Sequence, residues 1–271
     1  MAFDAILLAA GYGTRLRPLT EVLPKCLVPI HGRPLIDYWL EPLFAAGAER
    51  VLVNTHYKAD LVEKYLELTP WRAQIEIIYE DALLGTAGTL MANQAFVGGN
   101  PCLLAHADNL SIFPVGEFLN AHDQRPEAAL LTMMTFTTTD PQSCGIVVTD
   151  DEGLVAEFQE KVEDPPGRLA NGAVFVIDRS LIGAIELMPS PVVELSTDVL
   201  PHLIGRIFTW ENRFYHRDIG SLASLAEAAQ DFTPPMQDSS ADERWEGFMA
   251  TLPAADRAAI ANLQGAAGAG E

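Results

Sequence analysis

Cysteine is scarce in this chain: 3 in 271 residues, Cys26, Cys102 and Cys144, with no paired spacing. A disulfide framework needs matched sets of cysteines and a structural zinc site needs close pairs, so neither is expected. Basic residues are few as well. The 17 Lys and Arg stand against 37 Asp and Glu, a formal net charge of −20. A protein that grips nucleic acid carries a basic footprint, so a polymeric phosphate is excluded as partner. Long apolar runs are missing too. The first apolar run, residues 5–10, is far short of the roughly 20 residues of a spanning helix. It also lacks the basic leader and small-residue cleavage site of a signal peptide. A cytoplasmic protein with no membrane partner is the expectation.

What is present alternates. Residues 5–10, 51–54, 75–79, 102–105 and 128–135 read as apolar strands. Between them, 35–46, 58–68, 87–95 and 115–122 read as helices, with Pro42 weakening the second half of the first. Such alternation implies right-handed crossovers and a doubly wound α/β fold, its mainly parallel sheet covered on both faces. From Gly145 the pattern changes. Strands at 146–149 and 154–159 flank the turn 150–153, a hairpin signal, and further strands are expected at 173–177, 207–210 and 214–216. Helices are expected near 181–187, 198–204 and 222–229. The reading is a domain over 1–232 with a small β insertion at roughly 140–218, then a helical extension over 233–271 that opens on Pro234-Pro235. In that extension Ser240-x-x-Glu243 has capping-box form, and Trp245, Phe248, Met249 and Leu252 share one helical stripe that should dock. Pro253 should end this helix and open a short one carrying Ile260 and Leu263, with 265–271 frayed.

Local charge opposes the global sign at the start of the chain. The first 33 residues hold Arg15, Arg17, Lys25 and Arg33 against Asp4 and Glu21. The cations surround Leu8-Ala9-Ala10-Gly11-Tyr12-Gly13-Thr14-Arg15-Leu16-Arg17-Pro18-Leu19-Thr20, followed by Pro24-Lys25. A strand running into Gly-x-Gly lets backbone N–H groups approach an anion closely. A dinucleotide loop would need glycine where Leu16 stands, and a Walker loop needs Gly-Lys-Ser/Thr, which is absent. Taken alone, Gly11-x-Gly13 fits an ordinary tight turn equally well. Arg15 and Lys25 on the same loop suit charge spread over a triphosphate and a second phosphate.

From about Phe3 to Gln230 these motifs resemble the nucleoside-diphosphate-sugar pyrophosphorylases, the sugar-1-phosphate nucleotidylyltransferases. The resemblance implies that Ala10, Gly11, Gly13, Thr14 and Arg15 wrap the triphosphate, with Lys25 holding the attacking phosphate. Leu84-Gly85-Thr86-Ala87-Gly88 resembles the base and ribose loop, which puts Gly85, Thr86 and Gly88 in the nucleotide site. Its small residues leave room for a purine and resemble the guanylyltransferases that make GDP-mannose or GDP-heptose. Asp108 and Asp218, the latter in Asp218-Ile219-Gly220, match the metal carboxylates, hard oxygen donors that suit Mg²⁺. Gly145, Glu160-Lys161, Asn171 and Thr197, in Leu195-Ser196-Thr197-Asp198, match sugar-phosphate positions. Arg15, Lys25 and Asp108 would then serve in-line attack of a sugar phosphate oxygen on the α-phosphorus, by positioning and charge neutralisation with no covalent enzyme intermediate. Ala107, Val162 and Ser221-Leu222 depart from the family's usual Gly, Pro and Thr-Pro beside these residues. The implied partners are a nucleoside triphosphate and a sugar 1-phosphate, and a homo-oligomer is compatible with the sequence. Alternatives are a UTP or dTTP enzyme, a phosphocholine-type cytidylyltransferase, and a silent nucleotide-sugar-binding module. Glu160-Lys161 and Asn171 argue against the second, and intact Arg15, Lys25, Asp108 and Asp218 against the third.

Plainer readings compete at several positions. Asp108 in isolation is a turn or capping residue, and Asp198 reads equally well as a helix N-cap. Glu80 and Asp81 read as solvated loop charges, and His106 as a packed or surface histidine. Met133-Met134, Trp71 and Trp210 read as structural.

Overall fold

The segment Phe-Asp-Ala-Ile-Leu-Leu forms β1 (Phe3–Leu8), buried at every position, as a strand covered on both faces must be. Its alternate side chains feed two separate cores: Phe3, Ala5 and Leu7 enter one, Ile6 and Leu8 the other. The computed structural model describes residues 1–189, 191, 193–234 and 239–268. The later strands are β2 (Pro29–Ile30), β3 (Arg33–Pro34), β4 (Ala48–Thr55), β5 (Ile75–Tyr79), β6 (Cys102–His106) and β7 (Asn109–Ile112). They continue as β8 (Leu131–Thr137), β9 (Gly145–Thr149), β10 (Val155–Glu160), β11 (Leu169–Ile177), β12 (Ile207–Glu211) and β13 (Tyr215–Asp218). The helices are α1 (Leu19–Val22), α2 (Asp37–Ala45), α3 (Ala59–Leu66), α4 (Gly85–Ala92), α5 (Val115–Asp123), α6 (Arg179–Glu186), α7 (Leu222–Asp231), α8 (Ser239–Thr251) and α9 (Ala254–Gly268).

The main sheet has nine strands in the order β10-β9-β11-β6-β1-β4-β5, with β8 on β11 and β12 on β8. The half β6-β1-β4-β5 is parallel. On its other side β11 runs antiparallel to both β6 and β8, so the sheet is mixed. The hairpin β9–β10 forms at the expected turn and joins the early part of β11 through Ala170 opposite Ile146. One pairing had no signal in the sequence, although the strand at 214–216 was expected. β7 and β13 form a separate antiparallel ribbon with Asp218 opposite Asn109, and this register brings Asp218 beside Asp108.

Two expected elements differ. The helix at 198–204 is instead a π-helical turn, Leu195–Val199, followed by a 3-10 turn, Leu200–Leu203. Pro201 has no N–H to continue an α-helical ladder there. Asp198 is therefore no helix N-cap: its Oδ2 accepts from the backbone N–H groups of Val193 (2.8 Å) and Glu194 (2.9 Å), pinning the segment before the turn. The tail stripe docks on the chain's own core. Trp245, Phe248 and Leu252 are buried with Met249 half-buried beside them, and Tyr65 meets Phe248 edge-on at 5.4 Å. Pro253 separates the two tail helices as expected, Ile260 is buried, and α9 continues to Gly268 where fraying was expected, an Ala-rich run being a good helix former. The side chains of Ser240 and Leu263 and residues 269–271 lie outside what is described. Among the described residues no helix is long and apolar enough to cross a membrane.

Candidate active site

The parallel strands β1, β4 and β6 point their carboxyl ends toward one region, where open α/β sheets bind ligands. Leaving β1, the chain turns through Gly13, whose φ of +60° favours glycine. A Cβ there would lie 2.9 Å from Thr20 Cγ2 and 3.1 Å from Lys25 Cβ, so the loop can lie this close to Lys25 only without one. The Thr20 hydroxyl locks the turn by donating to Gly13 O at 2.8 Å.

Lys25 is the hinge of the site. Its Nζ lies 2.7 Å from Asp108 Oδ2 and 3.3 Å from Asp218 Oδ1, and Arg15 approaches Asp218 Oδ2 at 3.9 Å. The Lys25 side chain is 11% exposed and that of Arg15 75%, so one cation is built in and the other is free to meet a ligand. Burial works against the Lys25 charge, but the two carboxylates outweigh it and hold the ammonium above its usual range. Burial likewise opposes charge on Asp108, and Lys25 overcomes it, keeping the carboxyl below its ordinary value. The second oxygen, Asp108 Oδ1, is buried with no hydrogen-bond partner. Gly220 completes the pocket, since a Cβ there would sit 2.8 Å from Asp218 Oδ2 and 3.0 Å from an Arg15 guanidinium nitrogen.

The second glycine loop lies at the start of α4. Gly85 has φ +76°, and a Cβ would lie 2.5 Å from Val193 O. The N–H groups of Ala87 (2.9 Å) and Gly88 (3.2 Å) both donate to that same carbonyl. Thr86 donates to Glu194 Oε2 (2.8 Å) and accepts from Leu195 N (2.7 Å). The loop is thus stitched to residues 193–195 just ahead of Thr197, whose hydroxyl donates to Asp198 at 2.9 Å.

The remaining expected residues gather on β9, β10 and β11. Gly145 pairs with Glu160 across the hairpin, and a Cβ on it would overlap Glu160 Oε2 and lie 2.8 Å from Phe158 Cζ. Lys161, at φ +52°, donates its N–H to Cys144 O (3.1 Å), and its Nζ lies 3.3 Å from Glu160 Oε1. Asn171 sits where β11 bulges and accepts from Ala173 N at 2.9 Å. The structure therefore brings Arg15, Lys25, Asp108 and Asp218 together, and Gly145, Glu160, Lys161 and Asn171 together. It ties Thr197 to the Gly85–Thr86 side. Of the early cations, Arg33 is not part of the site: it is buried and pairs with Glu41 at 2.8 Å.

Sequence reasoning missed three polar residues. Glu80 is not solvated but buried, accepting from Asn54 Nδ2 (2.9 Å), Thr89 Oγ1 (2.5 Å) and Leu84 N (3.3 Å). Asn54 in turn accepts from Ala9 N at 2.7 Å. Both stand at or just past the carboxyl ends of β4 and β5, a position that itself signals ligand proximity. His216 in β13 lies 2.5 Å from Ser111 Oγ, and burial pushes its pKa down to about 4. Met133 and Met134 are core, Trp71 stacks on Phe44, and Trp210 packs at a tilt against Phe118, all structural as expected. Among the described residues no three His, Cys, Asp or Glu converge, so a cation here would take two carboxylates and complete its shell from elsewhere.

These elements have known counterparts. A family profile described as nucleotidyl transferase matches residues 4–234. Mannose-1-phosphate guanylyltransferase of Mycobacterium tuberculosis is 31% identical over 233 residues, 84% of this chain and 64% of that protein. Mannose-1-phosphate guanylyltransferase 1 of Arabidopsis thaliana is 31% identical over 194 residues, 69% of this chain and 53% of its own length. The chain thus spans between half and two thirds of these curated relatives. In fold it matches a solved structure from Bacillus anthracis, described as a candidate glucose-1-phosphate thymidylyltransferase in complex with a sucrose. The TM-score is 0.74 at 20% identity, over 90% of this chain and 99% of that one. Because the profile runs unbroken from β1 past α7, taking in both glycine loops and both aspartates, this chain belongs to the nucleotidyl transferase family.

Proposed function

We propose that this chain is a sugar-1-phosphate nucleotidylyltransferase. It joins a nucleoside triphosphate, GTP by preference, to a sugar 1-phosphate of mannose or heptose type and releases pyrophosphate. The observation that carries the reading is Lys25 held between Asp108 and Asp218 at the mouth of a Gly-x-Gly loop, with Arg15 at its rim. A phosphoryl-type transfer needs positioned cations more than it needs a nucleophile of its own. The mannose-1-phosphate guanylyltransferases among the relatives support the choice of base and sugar.

In this reading a sugar phosphate oxygen attacks the α-phosphorus in line, and the bond to the departing pyrophosphate oxygen breaks. The backbone of Ala10, Gly11, Gly13 and Thr14 cradles the triphosphate. Arg15, whose side chain is exposed, meets the negative charge that builds on the leaving pyrophosphate. Lys25 holds the attacking phosphate beside the α-phosphorus. Gly85, Thr86 and Gly88 line the base and ribose, while Gly145, Glu160, Lys161, Asn171 and Thr197 receive the sugar phosphate. The orphaned buried oxygen of Asp108 and the exposed carboxylate of Asp218 fit a hard cation. Mg²⁺ bound there with phosphate oxygens would supply charge neutralisation. The catalytic unit spans 1–232, with sugar recognition over roughly 140–218 and 233–271 as an extension, and it works in the cytoplasm, where nucleoside triphosphates are made. Pyrophosphate release, measured with each of four triphosphates against a panel of sugar 1-phosphates, tests the reading. GTP with mannose or heptose 1-phosphate should give the highest kcat/KM. A higher value for UTP or dTTP with every sugar would overturn the base, and silence with all pairs would overturn the activity.

A further inference from the structure

Glu80 does something none of these roles covers. A carboxylate inside a protein is expensive unless its oxygens are bonded. Here three donors from three separate elements converge on it: Asn54 from β4, Thr89 from α4 and the Leu84 N–H from the loop ahead of α4. Asn54 spends its own oxygen on Ala9 N, the residue that leads into Gly11. A second arm runs parallel. His56 Nδ1 lies 2.7 Å from Glu80 O and must donate to it, which leaves Nε2 as the acceptor for Tyr12 OH at 2.8 Å. Tyr12 stands between Gly11 and Gly13. Among the described residues no direct hydrogen bond joins loop 9–13 to loop 84–89. Their connection passes through residues 54, 56 and 80.

We propose that Glu80, acting through Asn54 and Thr89 with His56 and Tyr12 as the second arm, is a positioning residue that sets the spacing between the phosphate loop and the base loop. This rests on the proposed nucleotidylyltransferase reading. The triphosphate binds one loop and the nucleoside the other, so the distance between them must match one nucleotide to a fraction of an ångström. A polar hub does this better than apolar packing, because each hydrogen bond fixes direction as well as distance. The sugar phosphate does not have to bridge the two loops, so its KM should respond far less to Glu80 than that of the triphosphate. Glu80→Gln keeps the shape but turns an N–H toward a neighbouring donor.

The test is steady-state kinetics of Glu80→Gln with both substrates, at a temperature where circular dichroism shows the variant folded. The expected result is a fall of about 10-fold or more in kcat/KM for GTP, with KM for the sugar phosphate within about twofold of the parent. The preference for GTP over UTP should shrink in parallel. Thr89→Val should act in the same direction, Thr89→Ser should restore the parent values, and the double variant with Glu80→Gln should lose less than the sum, since both act in one network. Equal losses toward both substrates, or additive ones, would overturn the proposal, as they mark a merely structural residue. If the parent enzyme turns over no sugar phosphate, the functional reading fails on its own, and calorimetric affinity for GTP decides here: an unchanged affinity in Glu80→Gln overturns the positioning role, a weakened one supports it. If Glu80→Gln does not fold, His56→Gln loosens only the Tyr12 arm and gives the same two outcomes.

Discussion

The proposed nucleotide side of this molecule and its proposed sugar side are built on different physical terms. Around β1, β4 and β6 the polar groups are already committed: Lys25 to two aspartates, Asn54 and Glu80 to each other and to the glycine loops. On β9, β10 and β11 the shape is set by glycines pressed against neighbours, while Glu160 and Lys161 bond mainly to one another and Asn171 to its own turn. A committed cluster is preorganised for one charge distribution. A cavity shaped by backbone leaves its side chains to be rearranged by whatever binds. On the proposed reading, the chemistry is fixed around the committed cluster, and selectivity can drift on β9, β10 and β11.

That contrast can be broken from the strongest effect downward. Asp108→Asn, which removes charge from the committed cluster, should lower turnover by at least about 1,000-fold at ordinary Mg²⁺, since a bound cation supplies several kcal/mol. Activity of the parent should vanish with chelator and return with Mg²⁺. Turnover that survives excess chelator would defeat the metal assignment. Arg15→Ala should lower turnover by about 100-fold, the loss expected for one donor to developing charge. Its melting temperature should barely move, because the side chain is exposed. Lys161→Ala should raise KM for the sugar phosphate by about 10-fold with a smaller change in kcat, the pattern of a ground-state contact. An equal fall in kcat would move Lys161 into the committed cluster.

The last test reads stability against pH rather than turnover. Burial pushes His122 down to about 4 from its ordinary 6.5, and it contacts Thr132 of β8 at 2.9 Å. His216, also held at about 4, packs on Phe136 of the same strand at 4.3 Å. Between these values the unfolded chain binds protons that the fold refuses, so stability is complete above about pH 6.5 and is lost as pH falls toward 4. Each histidine contributes a slope of up to about 1.4 kcal/mol per pH unit. Denaturant titrations over that range should show the loss, and His122→Gln should flatten it. A slope unchanged in that variant would place the titration elsewhere.

How much of this was legible in the sequence follows from range. The strands and helices of the first half, the 150–153 hairpin turn and the tail stripe declare themselves through local periodicity, and the phosphate loop through its glycines and cations. The pairing of β7 with β13 does not: a strand at 214–216 was expected, but Asn109–Ile112 is short and its partner lies more than a hundred residues away. Yet that ribbon is what sets Asp218 beside Asp108. Glu80 misled for the opposite reason: an acid in a loop looks solvated until the three donors that bury it are assembled from β4, α4 and the loop between.

Arg244 in α8 reaches back 207 positions to Asp37, at 3.0 Å, and also to Glu41 at 3.0 Å. Burial drives the Asp37 carboxyl above its ordinary range even with that guanidinium beside it. In kinetic terms this ion pair is a late event. A ribosome has delivered every strand of the sheet before it delivers Arg244, so in the nascent domain Asp37 has the Tyr65 hydroxyl and the charge of Arg33 but not the direct guanidinium contact of the finished fold. Contacts of such long sequence separation close slowly. The chain should accordingly reach its final packing only after α8 has left the exit tunnel.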